Sequence, residues 1–294
     1  MSETAESPTT AKSFPDRVGV MGGGRMGAGI AHAFLSAGAT VIVVDINDDA
    51  LEAARNRITK SVTGSIDRGA PGTAEEWMQR VQLSTDAGDF ADCRLVVEAV
   101  PESMELKTKA FNAISQAAPE AVIATNTSSL SVTELADVVT NDVIGLHFFN
   151  PVPASKLVEV VVAKSTPEKL VSDAQEWVEA LGKTPVVVKD APGFASSRLG
   201  VAIALEAIRM VEQGVASPKD IDNAMVLGYK FPVGPLELTD IVGLDVRLGI
   251  AEYLEETLGE RFAPPKLMRE MVERGELGRK AGKGFYDYSS DSQC

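Results

Sequence analysis

The stretch HFFNPVPASKLVEV, residues 147–160, sets one of the chain's two histidines twelve residues before a glutamate in a valine-rich run. An imidazole at a strand end can take a proton from an alcohol. A carboxylate on its other nitrogen would select the tautomer and stabilise the imidazolium. Glu159, inside LVEVVVA, is the odder residue, because a buried glutamate needs a partner. The residues alone leave two readings open: a His147–Glu159 base dyad, or a core histidine beside an unrelated acid. His32 lies in the helix after a glycine cluster and reads as a packing or surface residue.

A second constellation binds rather than reacts. Gly22-x-Gly24-x-x-Gly27 joins a short apolar strand, residues 17–21, to a helix running to about Ser36. The next strand, TVIVVD at 40–45, ends in Asp45, eighteen residues after Gly27. In such a βαβ unit Gly22 permits the tight turn, Gly24 lets the backbone approach a pyrophosphate, and Gly27 lets the helix pack on the sheet. The helix N-terminus would hold the pyrophosphate charge. Asp45 would accept from the ribose hydroxyls and repel a 2′-phosphate, which favours NAD over NADP. FAD shares the fingerprint, but a short helical second domain without a large flavin-type insertion favours NAD.

Other polar groups near strand ends carry weaker signals. The hydroxyls of NTSSLS, residues 126–131, either cap the next helix or point into a site. Lys107 and Lys109 read as solvated on their helix. RKAGK near the C-terminus is either a surface cluster or a reach over an anionic ligand.

The elements that must position these groups follow an α/β rhythm and then lose it. Strands are expected at 17–21, 40–45, 95–100, 121–126, 143–149, 157–163 and 184–190, with helices over 50–60, 104–118 and 167–181. After about Ala191 only helical patterns remain, one of them opened by SPKD with Ser217 as cap and proline at its first position. The fold class is thus an α/β Rossmann-type NAD-binding domain, 17–190, followed by an all-helical C-terminal domain, 191–294. Residues 1–16 read as a flexible leader without the apolar core of a signal peptide.

With 294 residues the chain can bury two cores. A net charge of −14 argues against a broad nucleic-acid surface or an anionic membrane partner. No run approaches the roughly eighteen apolar residues of a membrane span. Cys93 and Cys294 have no metal-site spacing and suggest no disulfide framework, so a reducing, cytoplasmic compartment is expected.

Taken together, GGGRMGAGIA, VVEAVPE, ATNTSS, GLHFFNPVP…KLVEV, APGF…R, FPVGPLEL…D…GLD and GRKAGKGFY resemble the L-3-hydroxyacyl-CoA dehydrogenase family, including bacterial 3-hydroxybutyryl-CoA dehydrogenases. The likeness runs from Arg17 to Tyr288. It implies NAD as cofactor, an acyl-CoA substrate bound between the two domains, and a homodimer formed through the helical domain. By the same resemblance His147 is the general base for the substrate 3-hydroxyl and Glu159 its orienting partner. Ser128 touches substrate and cofactor, and Asn150 lies near the nicotinamide and the histidine. Glu102 and Lys107 stand on the cofactor side, and Lys280 reaches the cofactor from the tail.

Two departures bear on the substrate. The family's asparagine after APGF is Ser197 here, and the bulky residue after PVP is replaced by Ala154 and Ser155, which implies a roomier or more polar acyl pocket. Ser65 matches the serine that holds the CoA nucleotide, with Arg68 as the nearby base. A related NAD-dependent dehydrogenase of a free hydroxy acid, such as L-gulonate, is the alternative activity.

Overall fold

The structure, a computed structural model, describes residues 14–289; residues 1–13 of the expected leader and Cys294 lie outside them. By internal contacts the chain divides into two compact units, the first ending at Asp190 and the second beginning at Ala191.

The first unit opens with β1 (Arg17–Met21), α1 (Arg25–Ser36) and β2 (Thr40–Val44). α2 (Asp48–Asp67) is capped by Asn47, whose side chain accepts from Ala50 N, and two aspartates in its first turn suit the helix dipole. α3 (Ala74–Met78) and β3 (Val81–Ser84) follow, then β4 (Leu95–Glu98) and α4 (Met104–Ala117), which Ser103 caps. β5 (Val122–Thr125), α5 (Val132–Ala136), β6 (Val143–Phe148), β7 (Leu157–Val162), α6 (Glu168–Ala180) and β8 (Thr184–Lys189) complete it.

The eight strands form one sheet in the order β3-β2-β1-β4-β5-β6-β7-β8. Its first six strands follow the Rossmann order, so the chain reverses direction across the sheet between β1 and β4. All neighbours pair in parallel except β6 and β7. Val18, Val20, Val41, Val43, Leu95 and Val97 have no exposed surface, as expected of parallel strands covered on both faces.

β3 and α3 were not expected from the sequence. VQLS is short, mostly half-exposed and lies at the sheet edge, so it carries neither an apolar run nor a clear alternation. α2 continues seven residues past Lys60, to Asp67.

The second unit is helical: α7 (Ser196–Glu212), α8 (Pro218–Asn223), α9 (Pro235–Val242), α10 (Leu244–Leu258) and α11 (Lys266–Glu273). Ser217 caps α8 with Pro218 behind it, as the SPKD pattern predicts. Gly243, at φ 106°, breaks LELTDIVGLDVRLG into α9 and α10. Val201, Leu205, Ile208, Leu236, Leu254 and Met268 centre its core. Two buried aspartates organise it. Asp222 accepts from Leu236 N at 2.8 Å and Glu237 N at 2.9 Å, capping α9. Asp240 accepts from Phe285 N at 3.0 Å and Tyr286 N at 2.9 Å, fastening the tail.

Candidate active site

The reversal between β1 and β4 opens a cleft of about 780 Å³. It is lined by the glycine turn after β1, by Asp45 and Ile46 after β2, and by Ala99–Glu102 after β4. Gly22 takes φ 97° there, and a methyl group on it would meet Ala99 O at 3.0 Å. A methyl group on Gly27 would run into Gly22 O, so α1 can lie this close to the turn only without a side chain. Gly24 has nothing within 4 Å of the same position, leaving bare backbone at the start of α1. Asp45 Oδ2 accepts from Gly23 N at 2.6 Å and Oδ1 from Ile46 N at 2.7 Å. Each oxygen retains acceptor capacity for a diol. This set of bare amides, helix N-terminus and terminal acid fits a dinucleotide with an unphosphorylated ribose.

Beneath the cleft lies a buried polar network that the sequence did not announce. Glu98, at the end of β4, has no exposed surface, and Lys107 on α4 is 1% exposed. Their Nζ–Oε1 distance is 2.8 Å, and Lys107 also donates to Val100 O at 3.2 Å. Thr125 donates to Glu98 Oε2 at 2.7 Å. The expectation of a solvated Lys107 is therefore corrected. Its apolar-facing position on α4 is reconciled by an acid on the neighbouring strand, and it underlies the cleft without lining it. Lys109 does line the cleft and pairs with Glu105 at 2.6 Å.

Glu102 connects this network to the loop after β5. Its Oε1 accepts from Thr127 Oγ1 at 2.7 Å, Ser128 N at 2.8 Å, and Ser129 N and Oγ at 3.0 and 3.1 Å. Oε2 faces Lys107 Nζ at 3.5 Å. Partial desolvation disfavours its charge, yet Lys107 and these donors outweigh it and hold the carboxyl below the usual range. Glu102 thus orders the segment that carries Ser128 into the cleft. Of the NTSSLS hydroxyls, Ser131 is the helix cap, accepting from Glu134 N at 3.2 Å. Asn126, missed by sequence reasoning, also lines the cleft, and its Oδ1 accepts from Phe148 N at 2.8 Å. A polar residue closing an apolar strand was the signal available for it.

That bond ties the end of β5 to the end of β6, where His147 sits. His147 is directly opposite Glu159 in the antiparallel β6–β7 register, with Nδ1 2.8 Å from Oε2. Both are buried, at 5% and 1% exposure, and the imidazole lies 4.4 Å from the Phe149 ring, centroid to centroid. With Nδ1 turned to the carboxylate, Nε2 is the ring atom placed to exchange a proton with a ligand. Asn150 follows on an exposed turn, joined to Pro151 by a cis peptide.

A second cavity, about 500 Å³, lies between α2 and the proline loop and is lined by Lys60, Ser61, Gly64, Arg68, Pro151, Pro153 and Ala154. Arg68 thus has a second base beside it, Lys60, which sequence reasoning did not pick out. Ser65 is not in the lining; its hydroxyl meets His32 Nε2 at 2.9 Å and Arg68 Nη2 at 3.5 Å. His32 is itself buried, and desolvation first, then the charges of Arg68 and Lys183, lower its pKa to about 4. Ala154 is among the residues that line this basic cavity.

In the second unit Ser197 occupies the first turn of α7. Lys280 is engaged by Asp245 at 2.6 Å.

The glycine turn at the strand-order reversal, the acid ending β2 and the buried histidine–glutamate pair define an NAD-dependent oxidoreductase. Residues 17–191 match the family model for the 3-hydroxyacyl-CoA dehydrogenase NAD binding domain, and residues 193–288 that for the C-terminal domain of the same enzymes. The chain belongs to the 3-hydroxyacyl-CoA dehydrogenase family. It is 42% identical to a probable 3-hydroxybutyryl-CoA dehydrogenase of Deinococcus radiodurans, over 92% of this chain and 100% of that one. A counterpart in Bacillus subtilis is 41% identical over 92% and 96%. Among solved structures, the (S)-3-hydroxybutyryl-CoA dehydrogenase of Ralstonia eutropha superposes with a TM-score of 0.88 at 37% identity, covering 93% of this chain and 99% of that one.

Proposed function

We propose that the protein interconverts short-chain (S)-3-hydroxyacyl-CoA, such as 3-hydroxybutyryl-CoA, and the 3-oxoacyl-CoA. The observation that carries this reading is the buried His147–Glu159 pair at 2.8 Å at the end of β6. Bound NAD supplies the hydride acceptor. His147 Nε2 takes the proton of the C3 hydroxyl as the C3 hydride leaves, and returns it in the reverse direction. Glu159 holds the tautomer that makes this possible and offsets the imidazolium charge. Ser128 and Asn150 donate to the oxygen on C3, Ser128 being placed for this by Glu102. Gly22, Gly24, Gly27 and Asp45 hold the dinucleotide. Lys107 acts on the cofactor side from beneath, through Glu98 and Glu102. Lys280 would have to exchange Asp245 for the cofactor.

The CoA thioester is favoured over a free hydroxy acid by the cavity of Lys60 and Arg68 beside the proline loop, which suits the phosphates of a CoA nucleotide. Ser65 supports it by presenting Arg68, and Ser197 contacts the acyl portion. The same reading makes the protein a cytoplasmic homodimer. An apolar cavity of about 360 Å³ between α7, α8 and α9, with Leu227 and Tyr229 exposed nearby in sequence, supports a partner surface on the helical unit. No helix among the described residues is long and apolar enough to cross a membrane.

NADH oxidation with acetoacetyl-CoA and with acetoacetate, side by side, tests the proposal. Turnover of the thioester is expected, with K60A/R68A raising its KM about tenfold and leaving kcat within a factor of two. Turnover of the free acid alone would sink the thioester reading.

A further inference from the structure

Lys183 stands where α6 gives way to β8, and the helix end fixes its place. Gly182, at φ 70°, follows the last turn of α6 and donates from its N–H to Glu179 O at 2.8 Å. The N–H of Lys183 donates to Val178 O at 3.1 Å. This paired ending satisfies two free carbonyls of the helix and sets the direction of the next residue. From there the half-buried side chain donates from Nζ to Val152 O and to Ser155 O, each at 2.6 Å. Among the described residues no carboxylate pairs with it, and burial holds its pKa below the ordinary lysine value. An ammonium partly withdrawn from water, with only carbonyls as partners, gives up hydration for the geometry it fixes.

That geometry is the proline loop between β6 and β7. Pro151 and Pro153 have no N–H to give, and the amides of Ala154 and Ser155 both go to Pro151 O. The carbonyls of Val152 and Ser155 take their donor from Lys183. Inward, Val152 is 2% exposed and sits on α1, its Cβ 2.9 Å from where a methyl group on Gly29 would stand. Outward, Pro151, Pro153 and Ala154 line the basic cavity that α2 completes with Lys60 and Arg68. α1 is the floor for both walls. His32, three residues after Gly29 and beside it on the helix surface, meets Ser65 of α2 at 2.9 Å. Desolvation first, then the charges of Arg68 and Lys183, depress the His32 pKa, so the ammonium lies close to that floor. All of these residues belong to the first unit.

We infer that Lys183 is a positioning residue for the nucleotide end of the substrate. By holding the carbonyls of Val152 and Ser155 it keeps the proline loop as a fixed wall of the Lys60–Arg68 cavity, and so sets the affinity for the CoA portion without touching it. The inference rests on the reading of that cavity as the CoA nucleotide site. A wall held in place beforehand spares the cost of ordering the loop when the phosphates arrive, so loss of the clamp falls on KM. The reacting end is anchored separately, by the β6–β7 register and by the bond from Phe148 N to Asn126 Oδ1. Proton transfer at His147 therefore does not depend on the clamp.

The test sets acetoacetyl-CoA against acetoacetyl-pantetheine, the same thioester without the nucleotide, for wild type, K183M and K183R. K183M keeps most of the aliphatic stem and loses the donors, whereas K183R keeps a cation able to donate to both carbonyls. The wild type is expected to favour the CoA thioester in kcat/KM by at least about tenfold. K183M should raise KM for acetoacetyl-CoA about tenfold, with KM for acetoacetyl-pantetheine within about twofold and kcat for both within about threefold of wild type. K183R should stay within about threefold of wild type on every constant. A CoA-to-pantetheine preference that K183M keeps overturns the role of Lys183 alone. So does a KM rise or a loss of kcat shared by both thioesters, which would tie the lysine to the reacting end or to folding at large. K183R as impaired as K183M gives the effect to the shape of the stem and overturns the inference as well. Equal kcat/KM for the two thioesters in the wild type overturns the reading of the cavity as the nucleotide site, and turnover of neither overturns the dehydrogenase reading itself.

Discussion

His147 and Glu159 are direct cross-strand partners in β6 and β7, and these strands form the antiparallel pair in an otherwise parallel sheet. Residues opposite each other project to the same face, so the register brings imidazole and carboxylate together without help from a loop. The carboxylate is 1% exposed and its Oε2 is 2.8 Å from Nδ1. Glu159→Gln keeps the shape and the burial but can present its amide nitrogen to Nδ1 and invert the tautomer. We expect kcat with acetoacetyl-CoA to fall about 10²–10⁴-fold while NADH affinity, read by fluorescence titration, stays within a factor of two. A kcat within threefold of wild type would remove Glu159 from the proton chemistry.

Asp45 spends one lone pair on each oxygen at Gly23 N and Ile46 N, and Arg57 Nη1 lies 3.5 Å from Gly23 O. Replacing the acid removes the repulsion that a 2′-phosphate would meet and leaves a guanidinium close by. Asp45→Ser is expected to lower kcat/KM for NAD about tenfold and to shrink the preference for NAD over NADP about 100-fold, on the scale of a lost charged hydrogen bond. Steady-state kinetics with both cofactors measure it. A preference that survives unchanged would place phosphate rejection on another group.

The constellation most legible from residues and spacing is the nucleotide turn. The glycine turn and its acid are local, and their order along the chain is their order in space. The His147–Glu159 spacing alone leaves two readings open, the family resemblance favours the dyad, and the antiparallel register across the return from Phe148 to Leu157 makes the two residues one cross-strand pair. What stayed hidden closes across elements. On its own helix Lys107 shares the buried face with Ala110, Phe111 and Ile114, and only the pairing of α4 with the end of β4 reveals Glu98 beneath it. Lys60 becomes a neighbour of Arg68 and Ala154 only when α2 lies along the proline loop. Asn126 gains its purpose from Phe148 N on the adjacent strand. β3 carries too little apolar surface at the sheet edge to declare itself.

The Glu98–Lys107 pair has a testable energetic signature. Lys107→Met leaves a fully buried carboxylate facing only Thr125, Val100 N and empty charge balance, and should cost about 3–5 kcal/mol in urea unfolding at pH 7. The double variant Glu98→Gln/Lys107→Met removes both charges and should recover much of that loss, giving a coupling energy of about 2 kcal/mol or more. Additive losses would mean that the two side chains are held independently.

His32 supplies the pH dependence. Desolvation, followed by the charges of Arg68 and Lys183, sets its folded-state pKa near 4, against 6.5 for the free side chain. Above pH 6.5 the ring is neutral in both folded and unfolded chains and contributes no pH dependence. As pH falls from 6.5 towards 4, the unfolded chain binds the proton and the folded one does not, so stability is lost through that window and the loss levels off below it. At about 1.36 kcal/mol per pH unit, the loss between pH 7 and 4.5 attributable to this residue is about 2–3 kcal/mol. His32→Gln can still meet Ser65 Oγ but does not titrate. Unfolding free energies at the two pH values should therefore differ less in the variant than in the wild type by that amount. Parallel pH profiles would mean that the folded protein accepts the proton at His32 after all, with Ser65 turning to receive it.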